Sequence, residues 1–383
     1  MLSHLLFRLT HINLFEDRLF RAGAASLFAA LLVFLVMPWY IALLNHLDAT
    51  SDFDQGKRKS PPIMGGMLLV FAVLAASLCF ARLNAYSISA LVILMAYATI
   101  GGIDDVIKIR NKKLVAAGKL SKADYQLKAD GISARLRMFL YVLFSLLVAL
   151  FAYKFIPGLS GHLTMPFVKP EVWFPYLPRW GFILLICLVT TSSANGANFT
   201  DGLDSLVSVP IITTSLFAGI VAYISGNAIL AKYFLIPHIA GGDELFPICT
   251  AIIGAMLAYL WYNSPPAEIY MGDAGSIGFG GVIGMMFVLL KIELFLPIVG
   301  VVFLAEALSV LLQITGFKMT RQFSQDKVGR RLFLRAPLHH HFQLKWKDRF
   351  ESGQAVNSKI IWRFHLVSIL ALILGSLVFF KVR

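Results

Sequence analysis

Ten long apolar stretches run through the sequence, and they limit the possible fold more than any other feature. A helix needs roughly 20 mostly apolar residues to cross a bilayer, and it satisfies its own backbone hydrogen bonds there. We therefore expect an all-α integral membrane protein with about ten transmembrane helices, forming a single polytopic domain over 1–383. The stretches lie near residues 22–46, 64–83, 86–103, 136–157, 180–198, 203–225, 246–263, 275–291, 294–317 and 359–380.

The composition agrees with a membrane location. Hydrophobic residues make up 58% of the chain and charged residues only 14%, whereas a soluble domain has about 45–50% apolar and about 25% charged residues. The formal net charge is +13. On a membrane protein such an excess usually faces anionic lipid in cytoplasmic loops, and it also suits anionic substrates. We therefore predict membrane lipid and anionic small molecules as partners, and no nucleic acid.

The distribution of lysine and arginine predicts the orientation. Basic residues are concentrated in two predicted loops, 104–135 and 318–358, whereas the predicted loops 158–178 and 226–245 hold one lysine each. Loops rich in lysine and arginine face the cytoplasm. We therefore place both basic loops in the cytoplasm, and with ten spans both termini fall in the periplasm.

The segment 1–21 precedes the first apolar stretch. Leu5, Leu9, Ile12 and Phe15 recur at helical spacing among charged residues. This pattern is typical of a helix that lies in the membrane interface with one apolar face. We predict an interfacial amphipathic helix over this segment.

Five polar stretches interrupt the apolar pattern, and all of them fall at the predicted cytoplasmic ends of spans. This convergence indicates a site, because five separate loops could each have lacked acidic, basic and glycine residues. The stretches are "KRKSPPIMGG" (57–66), "GGIDDVIK" (101–108), "NGANFTDGLD" (195–204), "YNSPPAEIYMGDAGS" (262–276) and "RAPLHHHF" (335–342).

Asp104 and Asp105 form an adjacent acidic pair at the end of the third span. They could be a solvated helix end. Two neighbouring carboxylates repel each other at a membrane boundary, however, and a divalent cation or a cationic side chain would relieve that repulsion. Lys108 follows one helical turn later and could be such a partner.

A second polar cluster joins the fifth and sixth spans. Asn195, Asn198, Asp201 and Asp204 follow each other at intervals of three residues. A helix cap accounts for one such residue but not for four. If the segment is helical, this spacing places several of the four side chains on one face.

Asp273 opens the eighth span, where an acidic residue could cap a helix. Gly272 and Gly275 beside it remove side-chain bulk, which would let a phosphate or a metal ion approach the backbone N–H groups. Ser276 adds a hydroxyl group. Capping and ligand binding are both compatible with this pattern.

His339, His340 and His341 lie together in the second basic loop. Adjacent residues on a helix point about 100° apart, so joint metal binding by the three is geometrically difficult. We expect at least one of them to contact phosphate or substrate.

The polar stretches together predict oxygen ligands suited to Mg²⁺, cations suited to phosphate, and glycines that permit close approach. The chemistry that they favour is phosphoryl transfer involving a lipid drawn laterally from the membrane. An ion-coupled transporter is the alternative from another class, but transporter sites typically lie near the bilayer midplane. Glu306, inside the ninth span, is the main charged residue at such a depth, and the sequence assigns it no role.

The motifs "PPIMGG", "DDVIK", "NGANFTDGLDSL", "NSPPAEIYMGDAGS" and "RAPLHHHF" resemble those of the bacterial phospho-N-acetylmuramoyl-pentapeptide transferases, in order from about Lys57 to Arg363. The resemblance implies a homodimer of ten-helix subunits in the bacterial cytoplasmic (inner) membrane, with Mg²⁺ as cofactor. It implies transfer from UDP-N-acetylmuramoyl-pentapeptide to undecaprenyl phosphate, giving lipid I and UMP in the first membrane step of peptidoglycan synthesis. The nearest alternative is a sister UDP-N-acetylhexosamine-1-phosphate transferase acting on the same lipid, and "RAPLHHHF" disfavours it.

The same resemblance implies roles for individual residues. Asp273 is the expected Mg²⁺ ligand with helix capping as a secondary role, Asp201 is a second candidate ligand, and Asp104 is the candidate for handling the lipid phosphate. Lys57, Arg58 and Lys59 are equivalent candidates for a basic role ahead of "PPIMGG". The implied catalytic set is Asp104, Asp105, Asn198, Asp201, Asp273 and His339, and the implied substrate-binding set is Lys108, Lys112, Asn195, Asp204, Asn263, Gly272, Ser276, His340 and His341.

Two reaction routes are open at this point. The lipid phosphate could attack the donor directly, or a carboxylate could attack first and form a covalent phosphoryl-enzyme intermediate. We favour direct attack, because a phosphate dianion is already a competent nucleophile and mainly needs charge neutralisation and alignment.

Overall fold

The computed structural model describes residues 2–50, 60–119, 131–168, 175–324 and 327–381. Within these ranges the regular secondary structure is helical, apart from one isolated bridge between His162 and Tyr176. The α-helices are α1 Leu2–Thr10, α2 Arg18–His46, α3 Gly65–Phe80, α4 Ala85–Ala116, α5 Ala134–Phe155, α6 Arg179–Thr200, α7 Ser208–Ser225, α8 Ala228–Tyr233, α9 Leu245–Asn263, α10 Gly272–Leu289, α11 Leu296–Val299, α12 Val301–Phe323, α13 Leu338–Lys345 and α14 Gly353–Lys381.

The helical membrane protein predicted from the apolar stretches is confirmed. In the described part of the chain, nine helices are long and apolar enough to cross a membrane. The second predicted span corresponds to α3, which is also apolar but has only 16 residues. The placement of the termini and of the cytoplasmic face stays a prediction.

The structure corrects the extent of several segments. Helix α4 continues to Ala116, so the first part of the loop predicted over 104–135 is helical. The loop predicted over 318–358 likewise contains the end of α12, all of α13 and the start of α14. The ninth span was predicted as continuous over 294–317, but it starts as a 3₁₀ turn and the short α11, and α12 begins only after Gly300.

The N-terminal segment also differs from the single helix predicted over 1–21. Helix α1 ends at Thr10, and His11 adopts a left-handed backbone conformation with φ 55°. Helix α2 then begins at Arg18, where the side chain of Asp17 accepts a hydrogen bond from the Phe20 N–H. The segment is therefore divided into α1, a 3₁₀ turn and the start of the first span.

Helix α10 lies at the centre of the bundle, and every residue from Ala274 to Leu289 is buried. Its glycines allow α4 and α6 to approach on two sides. A Cβ on Gly278 would lie 3.0 Å from the Cβ of Ala98 in α4, and one on Gly280 would lie 2.7 Å from the Cβ of Ala197 in α6. Small residues permit such close helix contacts within a membrane. The packing brings the first turn of α10 next to the polar residues of α4 and α6.

Candidate active site

A polar cavity of about 400 Å³ opens where α4, α6, α9 and α10 come together at one end of the bundle. Four of the five polar stretches singled out in the sequence contribute to its lining, and the start of α14 adds Asn357. The lining residues are Ile63, Asp105, Lys108, Asp201, Gly202, Leu203, Asp204, Asn263, Tyr270, Gly272, Asp273 and Asn357.

Lys108 joins two carboxylates at this cavity. Its ammonium nitrogen lies 2.9 Å from Oδ2 of Asp104 and 2.8 Å from Oδ2 of Asp273. Arg137 from α5 lies 3.3 Å and 3.5 Å from the same two oxygens. The predicted pairing of Lys108 with the preceding acidic pair is therefore confirmed for Asp104, and the cluster is a four-membered network of two acids and two bases.

Asp104 is the most enclosed member of this network. Its side chain is 0% exposed and does not belong to the cavity lining. Its Oδ1 accepts a hydrogen bond of 2.6 Å from the Ile132 N–H, and its Oδ2 faces Lys108 and Arg137. Both carboxylate oxygens of Asp104 are thus occupied by groups of the protein.

Asp105 caps α10 from the neighbouring helix. Its two carboxylate oxygens accept hydrogen bonds from the N–H groups of Asp273 and Ala274, each at 3.1 Å. Gly272, with φ 76°, carries the chain past this carboxylate, where a Cβ would lie 2.7 Å from Oδ2 of Asp105. The expectation that Asp273 itself caps the helix is wrong, because Asp105 already fills that position.

Asn198 holds the other oxygen of Asp273 and also contacts Ser276. The side-chain amide of Asn198 donates to Oδ1 of Asp273 at 2.9 Å and to the Ser276 hydroxyl at 3.2 Å. The Ser276 hydroxyl in turn donates to the Gly272 carbonyl at 3.0 Å. The orientation of Asp273 is therefore fixed from α4, α5 and α6 together.

Asp201 differs from the other acids because none of the described residues donates a hydrogen bond to its carboxylate. It follows the last residue of α6 and lines the cavity. Burial raises the pKa of Asp201 to about 8, and the negative charges of Asp273 and Asp105 contribute to the rise. An acid in such surroundings favours its neutral form unless a cation or donor arrives.

Asp204 and Asn263 line the cavity and also form hydrogen bonds with the backbone of its loops. Oδ2 of Asp204 accepts a hydrogen bond of 3.1 Å from the Ala267 N–H. The Asn263 amide accepts from the Ser205 N–H and donates to the Ile269 carbonyl, both at 2.8 Å. These contacts tie the end of α6 to the segment between α9 and α10.

Five predicted substrate-binding residues lie outside the cavity lining: Ser276, His340 and His341, whose contacts are given separately, and Asn195 and Lys112. Asn195 donates to the Thr191 carbonyl of its own helix at 2.8 Å. Lys112 lies one turn beyond Lys108 and contacts the hydroxyl of Thr50. The structure therefore does not bring these two side chains into the site, while the three basic candidates at 57–59 lie outside the described residues.

The three histidines have different surroundings. His340 contacts Gln343 at 2.6 Å, and burial lowers its pKa. His341 accepts a hydrogen bond of 3.2 Å from the Leu334 N–H. His339 is only 1% exposed, and its ring lies so close to Gly202 that a Cβ there would overlap Nε2. His339 is therefore the histidine that meets a residue of the cavity lining.

The donor set fits a hard cation bound together with a phosphate ligand. Asp105, Asp201 and Asp273 all line the cavity, although within the described ranges no three His, Cys, Asp or Glu side chains are grouped so that they could hold a metal ion by themselves. Magnesium is usually held by one or two carboxylates, substrate phosphates and water. An open site with the unpartnered Asp201 is compatible with that mode.

Sequence reasoning did not assign Arg137 to the site, and it assigned no contact to Glu306. Arg137 lies 33 residues after Asp104, and no motif spacing connects them. Glu306 contacts the start of α13 although 33 residues separate it from His339. Both are charged residues in or beside apolar stretches, which was the available signal.

Comparison with known proteins agrees with this arrangement. The profile of glycosyl transferase family 4 matches residues 87–291, and the chain is thus a membrane-embedded transferase. It is 35% identical over 382 residues to the phospho-N-acetylmuramoyl-pentapeptide-transferase of a Nitratiruptor species, covering 97% of this chain and 98% of that protein. It is also 34% identical over 385 residues to the enzyme of the same name from Desulfotalea psychrophila, covering 97% of each.

A third relative with this name, from Syntrophus aciditrophicus, is 35% identical over 387 residues, and the match covers 98% of each protein. Identity at this level along nearly the whole length shows common descent and a common fold. The chain therefore belongs to the phospho-N-acetylmuramoyl-pentapeptide-transferase family. The family resemblance stated from the five motifs is confirmed.

Proposed function

We propose that the protein transfers phospho-N-acetylmuramoyl-pentapeptide from its UDP conjugate to undecaprenyl phosphate, in the presence of Mg²⁺. The products are lipid I and UMP, in the first membrane step of peptidoglycan synthesis. The observation that carries this proposal is the acidic cavity at one end of the bundle, which Lys108 and four aspartates line together. The names of the full-length relatives support the choice of donor.

Lys108 has the geometry of a phosphate-binding residue. An ammonium group has three N–H donors, of which Asp104 and Asp273 occupy two. The third can point into the cavity, because the side chain is 27% exposed and lines it. Arg137 holds the same two carboxylates from α5 and supplies a second positive charge. The donor diphosphate would therefore meet fixed positive charge as its leaving group forms.

Asp273 and Asp201 are the residues that would hold Mg²⁺, with Asp105 beside them. When bound, the ion would supply positive charge to the diphosphate and help to orient its oxygens. Asn198 keeps Asp273 in one orientation through its 2.9 Å hydrogen bond. The protein side of this site is thus arranged before any ligand binds.

The hydrogen bonding supports direct attack by the lipid phosphate. Among the carboxylates that could act as nucleophiles, both oxygens of Asp104 and both of Asp105 accept contacts from the protein, and Asp201, which accepts no such contact from the described residues, is assigned to Mg²⁺. We assign Asp104 the task of positioning Lys108 and Arg137, rather than that of handling the lipid phosphate itself.

The test is release of UMP by purified protein from UDP-N-acetylmuramoyl-pentapeptide and undecaprenyl phosphate, with and without Mg²⁺. We expect Mg²⁺-dependent turnover that Asp273→Asn abolishes, whereas Glu293→Gln, at a buried acid far from the cavity, keeps it. Turnover with UDP-N-acetylglucosamine instead would move the protein to the sister transferases. Failure with both donors in folded protein would refute the proposed reaction.

We also propose that the protein is a homodimer with its cavity on the cytoplasmic side of the bacterial inner membrane. The concentration of basic residues around the segment before α14 supports this orientation. In a variant without the native cysteines, we expect the thiol introduced by Glu351→Cys to resist a membrane-impermeant reagent in intact cells. The thiol introduced by Ile229→Cys should react, and the reverse pattern would invert the topology. The mass of the protein in detergent, corrected for bound detergent, tests the dimer.

A further inference from the structure

We propose that Glu306 is a positioning residue that orients His339 toward the cavity, an inference that rests on the proposed function. Glu306 lies inside the spanning helix α12, and its side chain is 0% exposed. A carboxylate at such a position is costly, since hydrocarbon and packed protein solvate charge poorly. The contacts of Glu306 therefore indicate its role.

Both oxygens of Glu306 are engaged by the start of α13. Oε2 accepts a hydrogen bond of 2.7 Å from the Leu338 N–H, and Oε1 accepts one of 3.2 Å from the His339 N–H. Pro337, which precedes α13, provides no side-chain cap. Glu306 thus caps α13 from a different helix and fixes where the histidine segment begins.

The same carboxylate also selects one nitrogen of the His339 ring. Oε1 of Glu306 lies 3.2 Å from Nδ1 of His339. A carboxylate only accepts hydrogen bonds, so this contact requires the proton to be on Nδ1. The other ring nitrogen, Nε2, is then the one left for a ligand.

Nε2 of His339 is buried and has no hydrogen-bond partner among the described residues. Buried polar atoms are nearly always satisfied, so an orphaned one points to a missing partner. The ring lies against Gly202, which lines the cavity beside Asp201. The geometry therefore places Nε2 against Gly202, on the side of the cavity that Asp201 lines, where a phosphate oxygen of the donor could supply the missing partner.

A helix cap alone would also explain part of this arrangement, and the two roles make different predictions. If Glu306 only caps α13, its loss affects the enzyme whichever side chain stands at position 339. If it acts through the His339 ring, its loss has no further effect once the ring is gone. A double-mutant cycle measures this difference.

The cycle combines Glu306→Gln and His339→Ala in full-length protein and reads kcat for UMP release, with thermal unfolding as the folding control. We expect Glu306→Gln to lower kcat about tenfold or more in the wild type, but less than about twofold in the His339→Ala protein. Glu293→Gln, at another fully buried carboxylate, should leave kcat unchanged. Equal losses from Glu306→Gln in both backgrounds would overturn the proposal.

A spectroscopic measurement decides the same question without any transfer reaction. In protein labelled with ¹⁵N-histidine, with His339 assigned through His339→Ala, we expect a protonated Nδ1 in the wild type and a mixture of tautomers in Glu306→Gln. An unprotonated Nδ1 in the wild type contradicts the proposal even if the variant does not fold. A wild type that releases no UMP but shows this ring state would refute the proposed function and leave the positioning role of Glu306 intact.

Discussion

The carboxylate of Asp105 accepts a hydrogen bond of 3.1 Å from the backbone N–H of Asp273. Asp105 therefore stabilises the start of α10, the helix to which Asp273 belongs. The second oxygen of Asp105 accepts from the next N–H along α10. The two acids therefore have separate tasks: Asp105 stabilises the helix start, and the side chain of Asp273 faces the cavity and its cations.

This division of tasks predicts different stabilities for two variants. Asp105→Ala removes a helix cap and leaves the partly buried N–H of Asp273 and the buried N–H of Ala274 without acceptors, which costs about 1–3 kcal/mol for a buried group. We expect its thermal unfolding midpoint in detergent to fall clearly below that of Asp273→Asn. A larger loss of stability in Asp273→Asn would show that Asp105 is not the cap.

The network around Lys108 predicts a partial rescue. Lys108→Met leaves Asp104 buried with Arg137 alone, and breaking a buried ion pair costs about 3–5 kcal/mol. That range is an upper bound here, because the Lys108 side chain is 27% exposed and solvent screens it. Adding Asp104→Asn removes the poorly paired charge, so the double variant should unfold at a higher temperature than Lys108→Met alone. Strictly additive losses would contradict the coupling, and neither protein should release UMP.

The contact between Gly202 and His339 predicts that a single methyl group damages the site. In Gly202→Ala the new Cβ would lie 2.2 Å from Nε2 of His339, so either the ring or the loop must move. Overpacking of this kind costs about 1–3 kcal/mol, and we expect a loss of kcat of about tenfold or more.

Gly316→Ala is the matched control for this substitution, since a Cβ there meets nothing within 4 Å. It lies inside α12, where alanine is favoured over glycine by about 1 kcal/mol. Its kcat should equal that of the wild type and its stability should rise slightly. If Gly202→Ala behaves in the same way, His339 does not lie where the structure has it.

The burial of Glu293 predicts that the stability of the folded protein depends on pH. Burial raises the pKa of Glu293 from its ordinary value of 4.5 to about 7, although Lys291 at 3.9 Å opposes the rise. Between these two values the folded protein binds more protons than the unfolded chain. Stability is therefore highest at the acidic end and falls as the pH rises through this window.

Glu293→Gln removes this contribution while keeping the shape of the side chain. Neither oxygen of Glu293 has a hydrogen-bond partner in the described part of the chain, so no hydrogen bond is lost. We expect the unfolding midpoint of the wild type to drop more than that of the variant between about pH 5 and about pH 8. Parallel pH curves for the two proteins would rule out the shifted titration.

The apolar helices could be predicted from the sequence because their length and hydropathy identify them, although nine of the described helices, and not ten, are long enough to cross a membrane, since α3 has only 16 residues. Four of the five polar stretches also identified most of the cavity lining, since each of the four lies at the end of an apolar helix. The helical extension of α4 beyond Asp104 could not be predicted, because Lys108 and Lys112 are as compatible with a solvated loop as with a helix. The break before α12 likewise depends on how Gly300 packs and not on hydropathy.

The separate roles of the acidic residues could not be predicted from the sequence either. Asp105 and Asp273 are 168 residues apart, and their hydrogen bond exists only because α4 and α10 lie side by side. Either residue alone fits a helix cap. The contact between Glu306 and His339 depends in the same way on the tertiary fold, because the segment after α12 must bring α13 back against that helix.

The glycines of α10 make the position of the site depend on contacts that are buried among the spanning helices. Because Gly278 and Gly280 leave no room for a side chain against α4 and α6, α10 can neither rotate nor slide without forcing its neighbours apart. A substitution two turns away from Asp273 would thus misalign the carboxylates without touching a ligand. A compound that binds the cavity accordingly meets carboxylates whose positions are set by packing inside the bundle.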